Sequence, residues 1–132
     1  MNWQYVEITQ AYLIHQVMVR RSGTRARLRD FGLLHSAIER PKASFGGEDL
    51  YPTVFDKAAA LLQSLTMNHP VTDGNKRTAW AVTHRFLWIN GQHLRSHVDE
   101  AVSFMLTVDR EKMELGQIAD WLREHCGARK GW

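Results

Sequence analysis

The chain has 132 residues, of which 44% are hydrophobic and 23% are charged. This length and composition are typical of one globular domain that needs no disulfide staples. The single cysteine, Cys126, excludes an internal disulfide, so we expect a reducing cytoplasm. The sequence shows no secretory leader, and no apolar run approaches the ~20 residues of a membrane span. We therefore predict a single cytoplasmic domain over residues 1–132, without a membrane partner.

The net charge of +3 suits an anionic ligand but does not demonstrate one. Five arginines lie close together in the stretch RRSGTRARLR. They form either a solvated turn after a helix or a patch for nucleic acid or an acidic partner. No aromatic residue lies among them to stack on a base, so nucleic acid is the less favoured partner. The five are Arg20, Arg21, Arg25, Arg27 and Arg29.

Apolar residues recur at helical spacing along most of the chain. Thr9 predicts the N-cap of a first helix that runs through about Arg21. Asp30 predicts the cap of a second helix, which Pro41 ends. The segment 41–51 has two adjacent glycines and no periodicity, and it predicts a loop or a short hairpin. The apolar stripe of the first helix comprises Ala11, Ile14, Val17 and Met18.

Four more helices are predicted after this segment. The third covers about residues 52–67, with proline in its first turn, and the fourth covers 75–91 and ends at an Asn-Gly stop. Ser96 predicts the cap of a fifth helix over about 96–108, and apolar residues between 115 and 122 mark a sixth. No convincing β-alternation is present. The fold class predicted is all-α, a compact bundle of about six helices with a short loop or hairpin.

The stretch 68–79, NHPVTDGNKRTA, concentrates polar residues between the third and fourth helices. A helix N-terminus is an anion site, because unpaired backbone N–H groups and the helix dipole direct positive charge at a ligand. Gly74 permits close approach of the backbone, and Asn75 adds an amide donor. Lys76 and Arg77 add charge where a phosphate would lie. These residue types predict a phosphate site at the start of the fourth helix.

Two further residues complete a set for group transfer. Asp73 would repel a bare phosphate, but a carboxylate beside phosphates is a typical ligand of Mg²⁺. The imidazole of His69 is suited to accept a hydroxyl proton near neutral pH. Singly, each of these residues has an ordinary explanation as a turn or a solvated side chain. Together within residues 69–77 they favour the transfer of a phosphate-containing group onto an alcohol.

Other templates for this chemistry fit badly. No strand precedes the loop as a P-loop requires, and the acids do not alternate as in a Ca²⁺ loop. His93 and His97 are four residues apart, but they straddle a predicted helix start and lack a third ligand for zinc.

HPVTDGNKR, residues 69–77, resembles the signature H-P-F-x-[DE]-G-N-x-R of the Fic/Doc superfamily. The Doc (death-on-curing) branch is the closer match, because it has a lysine where Fic enzymes have a second glycine, as Lys76 is here. The flanking sequence from 29 to 94 is also similar to Doc-type toxins, including FGGEDLYPT and FLWINGQHL.

This resemblance implies a toxin paired with a small, Phd-like antitoxin. It implies a kinase that uses ATP and Mg²⁺ to move the γ-phosphate onto a threonine of translation elongation factor Tu. The implied site residues are His69 as the base, Asp73 as the Mg²⁺ ligand, and Gly74, Asn75, Lys76 and Arg77 around the phosphates. The implied flap that docks the target comprises Phe45, Gly46, Gly47, Glu48 and Asp49.

Two positions depart from the family pattern. Val71 replaces a phenylalanine that anchors the loop in the core. Trp80 replaces the second arginine of many Fic enzymes, which disfavours AMP transfer. No built-in inhibitory segment is found, so inhibition is expected from outside the chain. The alternatives to a kinase are an AMP transferase on the same scaffold and an inactive nucleotide- or protein-binding module.

Overall fold

Helices dominate the part of the chain that this computed structural model describes, namely residues 2–22, 31–68 and 75–130. The helices are α1 (Ile8–Ser22), α2 (Phe31–Glu39), α3 (Val54–Met67), α4 (Asn75–Ile89), α5 (Val98–Glu111) and α6 (Leu115–Glu124), with a 3₁₀ turn at Arg40–Lys42. The strands are β1 (Ser44–Phe45), β2 (Glu48–Asp49), β3 (Gln92–Leu94) and β4 (Cys126–Ala128). The predicted all-α class with about six helices is confirmed. The predicted cap Asp30 and the arginines 25, 27 and 29 lie outside the described residues.

Helix α3 lies at the centre of the core, where it packs against α2, α4, α5 and α6. Its N-terminus is closed by a capping box rather than by the proline predicted in the first turn. Thr53 Oγ1 accepts a hydrogen bond from the Asp56 N–H at 3.1 Å, and Asp56 Oδ2 accepts one from the Thr53 N–H at 3.3 Å. The buried apolar residues of the helix are Val54, Ala58, Ala59, Ala60, Leu61, Leu62 and Leu65. The alanines allow the neighbouring helices to approach closely.

Helix α4 ends where the sequence predicts. Gly91 has a φ of +86°, which favours glycine after a helix. Asn90 also ties the N-terminal segment to this end of α4. Its Oδ1 accepts a hydrogen bond from the Gln4 N–H at 3.0 Å, and its Nδ2 donates to the Gln4 carbonyl at 2.8 Å.

The predicted cap of α1 is wrong, because the helix begins at Ile8 and Thr9 lies inside its first turn. Gln10 satisfies the end of the helix instead. Its side-chain oxygen accepts a hydrogen bond from the Glu7 N–H at 3.1 Å, so a side chain from inside the helix takes the capping role.

The predicted cap of α5 is displaced by one residue. His97 is the N-cap, with an extended backbone, while the Ser96 hydroxyl donates to the His97 carbonyl at 3.0 Å. The helix also continues three residues beyond Val108. Lys112, with a φ of +54°, ends it in the left-handed region.

The segment 41–51 contains the short hairpin that was one of its two predicted forms. Ser44 pairs with Asp49 and Phe45 pairs with Glu48. Gly46 and Gly47 between them have φ values of +60° and +83°. Two adjacent residues at positive φ match the right-handed twist of a tight hairpin, so the glycine pair determines the turn.

The sequence analysis missed the second strand pair. Gln92, His93 and Leu94 pair antiparallel with the C-terminal strand, with Leu94 opposite Cys126. Three-residue strands are too short to show a period of two, and the partner lies more than thirty residues away along the chain. The pairing closes the end of α4 against the end of α6.

The predicted apolar stripe of α1 is partly wrong. Ala11 is buried, but Val17 is 43% exposed. His15 is fully buried in its place, and within the described residues neither of its ring nitrogens has a hydrogen-bond partner. Desolvation by burial lowers the pKa of His15 below its ordinary value of 6.5.

We expect this histidine to make the fold sensitive to acid. The unfolded chain binds a proton at His15 below about pH 6.5, and the folded chain resists it, so stability is complete above that pH and falls below it. His15→Leu is expected to remove up to about 1.4 kcal/mol per pH unit from the slope of the unfolding free energy below that pH. Urea unfolding measured from about pH 8 to about pH 5 checks this, with the exposed His35→Leu as the matched control. An unchanged slope in His15→Leu would contradict it.

Candidate functional site

The start of α4 carries unusual charge for a helix N-terminus. Asn75 is its first residue, and no acidic residue lies in its first turn. Lys76 and Arg77 are both exposed there. Helix dipoles favour anions at this end and disfavour cations, so two consecutive cations have no structural advantage here. Together with the positive end of the helix dipole, they form a positively charged surface suited to an anion.

The remaining residues of the predicted motif connect α3 to α4. Asn68 caps the C-terminus of α3, and its N–H donates to the Ser64 carbonyl at 2.9 Å. His69, Val71, Asp73 and Gly74 lie outside the described residues. The roles of this loop therefore stay predictions from the sequence.

Lys76 is directed toward α5. Its ammonium nitrogen lies 3.5 Å from Oδ2 of Asp109, and the two side chains are 45% and 23% exposed. An ion pair of this length and exposure contributes little to stability, so an arriving phosphate can compete for the lysine. Within the described part of the chain, Arg77 makes no ion pair. Among the described residues, neither cation of the first turn is thus held by a short ion pair.

A pocket of about 690 Å³ opens beside these cations, between α1, α4 and α5. Its wall on α5 is apolar and partly open to solvent, with Val98 76% and Val102 53% exposed. Its polar rim includes Arg21, Lys76 and Arg77. The other lining residues are Met18, Trp80, Ala81, His84, Ser96, Ala101, Met105 and Leu106. The pocket therefore combines an apolar wall on α5 with a cationic edge formed by Arg21, Lys76 and Arg77.

Trp80 forms part of this pocket and rests on an aromatic stack. Its ring meets that of Trp121 edge-on, with centroids 6.0 Å apart. Trp121 is stacked in turn on Phe104 at 3.8 Å and on His125 at 3.7 Å. At the position where many Fic enzymes have a second arginine, the chain has a packed aromatic wall and no cation.

Sequence reasoning missed His84, which lines the same pocket from α4. Its ring lies edge-on to that of His93, with centroids 5.8 Å apart. Burial, and then the charge of His93, lower the pKa of His84, while a hydrogen bond with the backbone of Leu94 opposes the shift. The pocket thus has an uncharged imidazole near neutral pH. Only the fold shows that His84 and His93 are in contact, because they belong to different elements, α4 and β3.

The described residues contain no cluster of three or more His, Cys, Asp or Glu side chains able to hold a metal ion. His93 belongs to β3 and His97 caps α5, so the two do not share one helix face. Among the described helices, none combines the length and apolar composition that crossing a bilayer requires.

The hairpin presents its tip to solvent. Phe45 is 82% exposed, and Gly46, Gly47 and Glu48 are exposed as well. Asp49 differs from the other four, because its Oδ2 accepts a hydrogen bond from the Lys57 ammonium at 3.0 Å. Four of the five predicted flap residues are therefore open to a partner, and the fifth is bound to α3.

Comparison with known proteins agrees with this arrangement. The model of the Fic/DOC family matches residues 5–87, which include the hairpin, α3, the motif and most of α4. The chain belongs to the Fic/DOC family.

A curated relative is the protein named Toxin Doc of Mycolicibacterium smegmatis. It is 50% identical to this chain over 99 residues, which are 74% of this chain and 76% of the relative. The family resemblance inferred from the motif and its flanks is thus confirmed.

Proposed function

We propose that the chain is the toxin of a toxin–antitoxin pair and an ATP-dependent protein kinase. In this proposal it moves the γ-phosphate of ATP onto a threonine hydroxyl of translation elongation factor Tu and thereby arrests translation. The observation that carries it is the cationic first turn of α4, with Lys76 where AMP-transferring relatives have a glycine. The likeness to a curated toxin supports the toxin class.

Each residue of the motif has a separate role in the proposed reaction. His69 takes the proton of the threonine hydroxyl, whose oxygen forms a new bond to the γ-phosphorus of ATP. The bond from that phosphorus to the oxygen bridging to the β-phosphate breaks, and ADP leaves. Arg77 and the first-turn N–H groups of α4 neutralise the charge on the transferred group, which is the largest contribution expected in phosphoryl transfer. Asp73 would hold Mg²⁺, which supplies further charge neutralisation on the phosphates.

Labelled ATP tests this proposal against its two alternatives. Protein incubated with ATP and purified elongation factor Tu is expected to transfer γ-label and no α-label. His69→Ala should lose transfer, while its circular dichroism and melting temperature stay close to those of the wild type. α-label on the target would instead support an AMP transferase, and no label with either form would support an inactive binding module.

Lys76 is proposed to choose between the two transferases. In the glycine-bearing pattern, the α-phosphate can lie in the hole at the helix end. The lysine side chain takes up that space and its charge favours a terminal phosphate, so the nucleotide lies with its γ-phosphate toward the attacking hydroxyl. The pose decides the product, because in-line attack needs reacting atoms within roughly 3–3.5 Å.

We expect Lys76→Gly to lose most γ-transfer, by about tenfold or more, because a pairing charge near the phosphates is removed. A gain of α-label would support the steric explanation. Lys112→Gly is the matched control, since this exposed lysine lies at the left-handed end of α5, where glycine is tolerated. Full γ-transfer by Lys76→Gly would show that this residue does not select the reaction.

The antitoxin is proposed to lie in the pocket between α1, α4 and α5. On the wall of α5, residues 98, 102 and 105 follow helical spacing, and two of them are exposed valines. An amphipathic helix would bury these side chains in its apolar face. Arg21, Lys76 and Arg77 on the rim favour acidic residues on the partner. Such a segment would cover the start of α4 and silence the site.

This docking mode predicts that introducing a charge at Val102 weakens binding of the antitoxin. Val102→Glu is expected to weaken binding of the small protein encoded beside this gene by about tenfold or more, because it puts an unpaired charge into an apolar contact. Ser103→Glu is the control, since it adds the same charge one residue along α5, outside the pocket. Calorimetry on purified proteins measures both. Equal affinities for the two variants would place the antitoxin elsewhere.

A further inference from the structure

The hairpin rests on a fully buried cation. Lys57 lies in the second turn of α3 with no exposed side-chain surface, although lysine is almost never buried unless it is paired. Its ammonium donates to Asp49 Oδ2 at 3.0 Å and to the Tyr51 carbonyl at 2.6 Å. Asp49 is the last residue of β2, and Tyr51 follows it by two. Both acceptors therefore belong to the segment by which the chain leaves the hairpin.

The N-terminal segment completes the enclosure of this ammonium. The ring of Trp3 lies across it, with the centroid 5.8 Å from the lysine nitrogen, within the range of a cation–π contact. Trp3 is held in place because its neighbour Gln4 exchanges two hydrogen bonds with Asn90 at the end of α4. A carboxylate, a carbonyl and an aromatic face thus replace the water that the lysine loses on burial.

A second cation holds Tyr51 from the other side. Nε of Arg40 donates to the Tyr51 hydroxyl at 2.9 Å, and the guanidinium carbon lies 5.3 Å from the ring centroid. The same guanidinium is joined to the middle of α3, where it donates to the Ala60 carbonyl, Gln63 Oε1 and Ser64 Oγ. Tyr51 is therefore linked to α3 directly through its backbone carbonyl and indirectly, through Arg40, by its side chain.

The hairpin itself has little else to orient it. Each of its strands is two residues long, and all four strand residues are exposed. An isolated hairpin of this size is not stable in water. Beyond the ladder, the Leu50 N–H donates to the Ala43 carbonyl at 2.9 Å, which closes the base of the hairpin. The direction in which the tip points therefore depends on its base, which the 3₁₀ turn holds on the entering side and α3 holds on the leaving side.

We propose that Lys57 is a positioning residue for the hairpin: its ammonium binds Asp49 and the Tyr51 carbonyl, and so holds the exposed tip in one orientation for an extended segment of the protein target. The functional part of this inference rests on the proposed kinase activity, in which the hairpin docks the target. The structural part does not depend on that activity. Asp49, taken from the sequence as a target contact, acts in this scheme through Lys57.

Hydrogen exchange of the hairpin amides tests the structural part. In Asp49→Ala, the protection of the Leu50 amide is expected to fall by about tenfold, because the partly exposed ion pair at the base is lost. Asp49→Glu keeps the charge on a longer arm and should recover most of the protection. Glu48→Ala is the matched control, because it removes an exposed carboxylate from the same strand, one without an ion-pair partner among the described residues. It should leave the Leu50 amide unchanged.

A variant of Lys57 checks that Lys57 and Asp49 orient the hairpin through their mutual ion pair. Lys57→Met keeps the length of the side chain and removes the charge. It should lower the protection at least as much as Asp49→Ala, and the double variant should be no worse than Lys57→Met alone. Circular dichroism shows whether Lys57→Met folds. If it does not, the comparison of Asp49→Ala with Asp49→Glu and Glu48→Ala still decides the question.

Steady-state transfer of γ-label to purified elongation factor Tu tests the functional part. Asp49→Ala is expected to raise the KM for the protein target by about tenfold, while the KM for ATP and the kcat stay within about twofold, because only docking is impaired. A partial loss of fold would lower the apparent kcat and leave both KM values unchanged, because only the concentration of active enzyme falls. Absence of transfer by the wild type would refute the proposed kinase activity. The hydrogen-exchange result would still test whether Lys57 orients the hairpin.

Two results would overturn the inference. Unchanged protection of the Leu50 amide in Asp49→Ala would mean that Lys57 does not orient the hairpin. Lost protection with an unchanged KM for the protein target would mean that the orientation of the hairpin is not used in docking.

Discussion

The burial of α3 is the constraint on which the rest of the structure depends. Ten of its fourteen residues are buried, and four other helices pack around it. A helix of this length spans about 21 Å. The hairpin is attached beside its first turns, and the 69–74 segment follows directly from its last turn. Any displacement of α3 would move the hairpin and the C-terminal end of α3 together, so the apolar packing of α3 determines how the hairpin lies relative to that end of the helix.

The cation near the start of α3 differs in environment from the two cations at the start of α4. Lys57 is enclosed, and its charge is matched by a carboxylate, a carbonyl and an aromatic ring. Lys76 and Arg77 are exposed at a helix end where the dipole opposes them. A buried, paired charge specifies one local geometry, whereas an exposed charge in an unfavourable field is ready for an incoming anion. The contrast distinguishes Lys57, which is part of the scaffold, from Lys76, which we propose binds a phosphate.

The pocket beside α4 places cationic and apolar residues next to each other on one surface. Its cationic edge includes Lys76 and Arg77, which we propose bind phosphate, and its apolar wall on α5 is exposed among the described residues. A partner that fills the wall necessarily approaches Lys76 and Arg77. An inhibitory partner bound to the apolar residues of α5 would therefore also cover Lys76 and Arg77. Such inhibition would need no conformational change in this chain.

The sequence by itself determined the all-α class, the positions of α3 and α4, the glycine turn of the hairpin and the family. These rest on local signals: helical periodicity, the Asn-Gly stop, two adjacent glycines, and a motif whose residues are neighbours in the chain. The cap of α1 was misplaced by two residues and that of α5 by one, because a serine or threonine near a helix start is a weak signal when other groups compete for the same amides. Only the tertiary structure decided that Val17 faces outward, that His84 meets His93, that β3 pairs with β4, and that Lys57 is buried under Trp3. Each of these depends on how separate elements of the chain pack against one another, which no local pattern encodes.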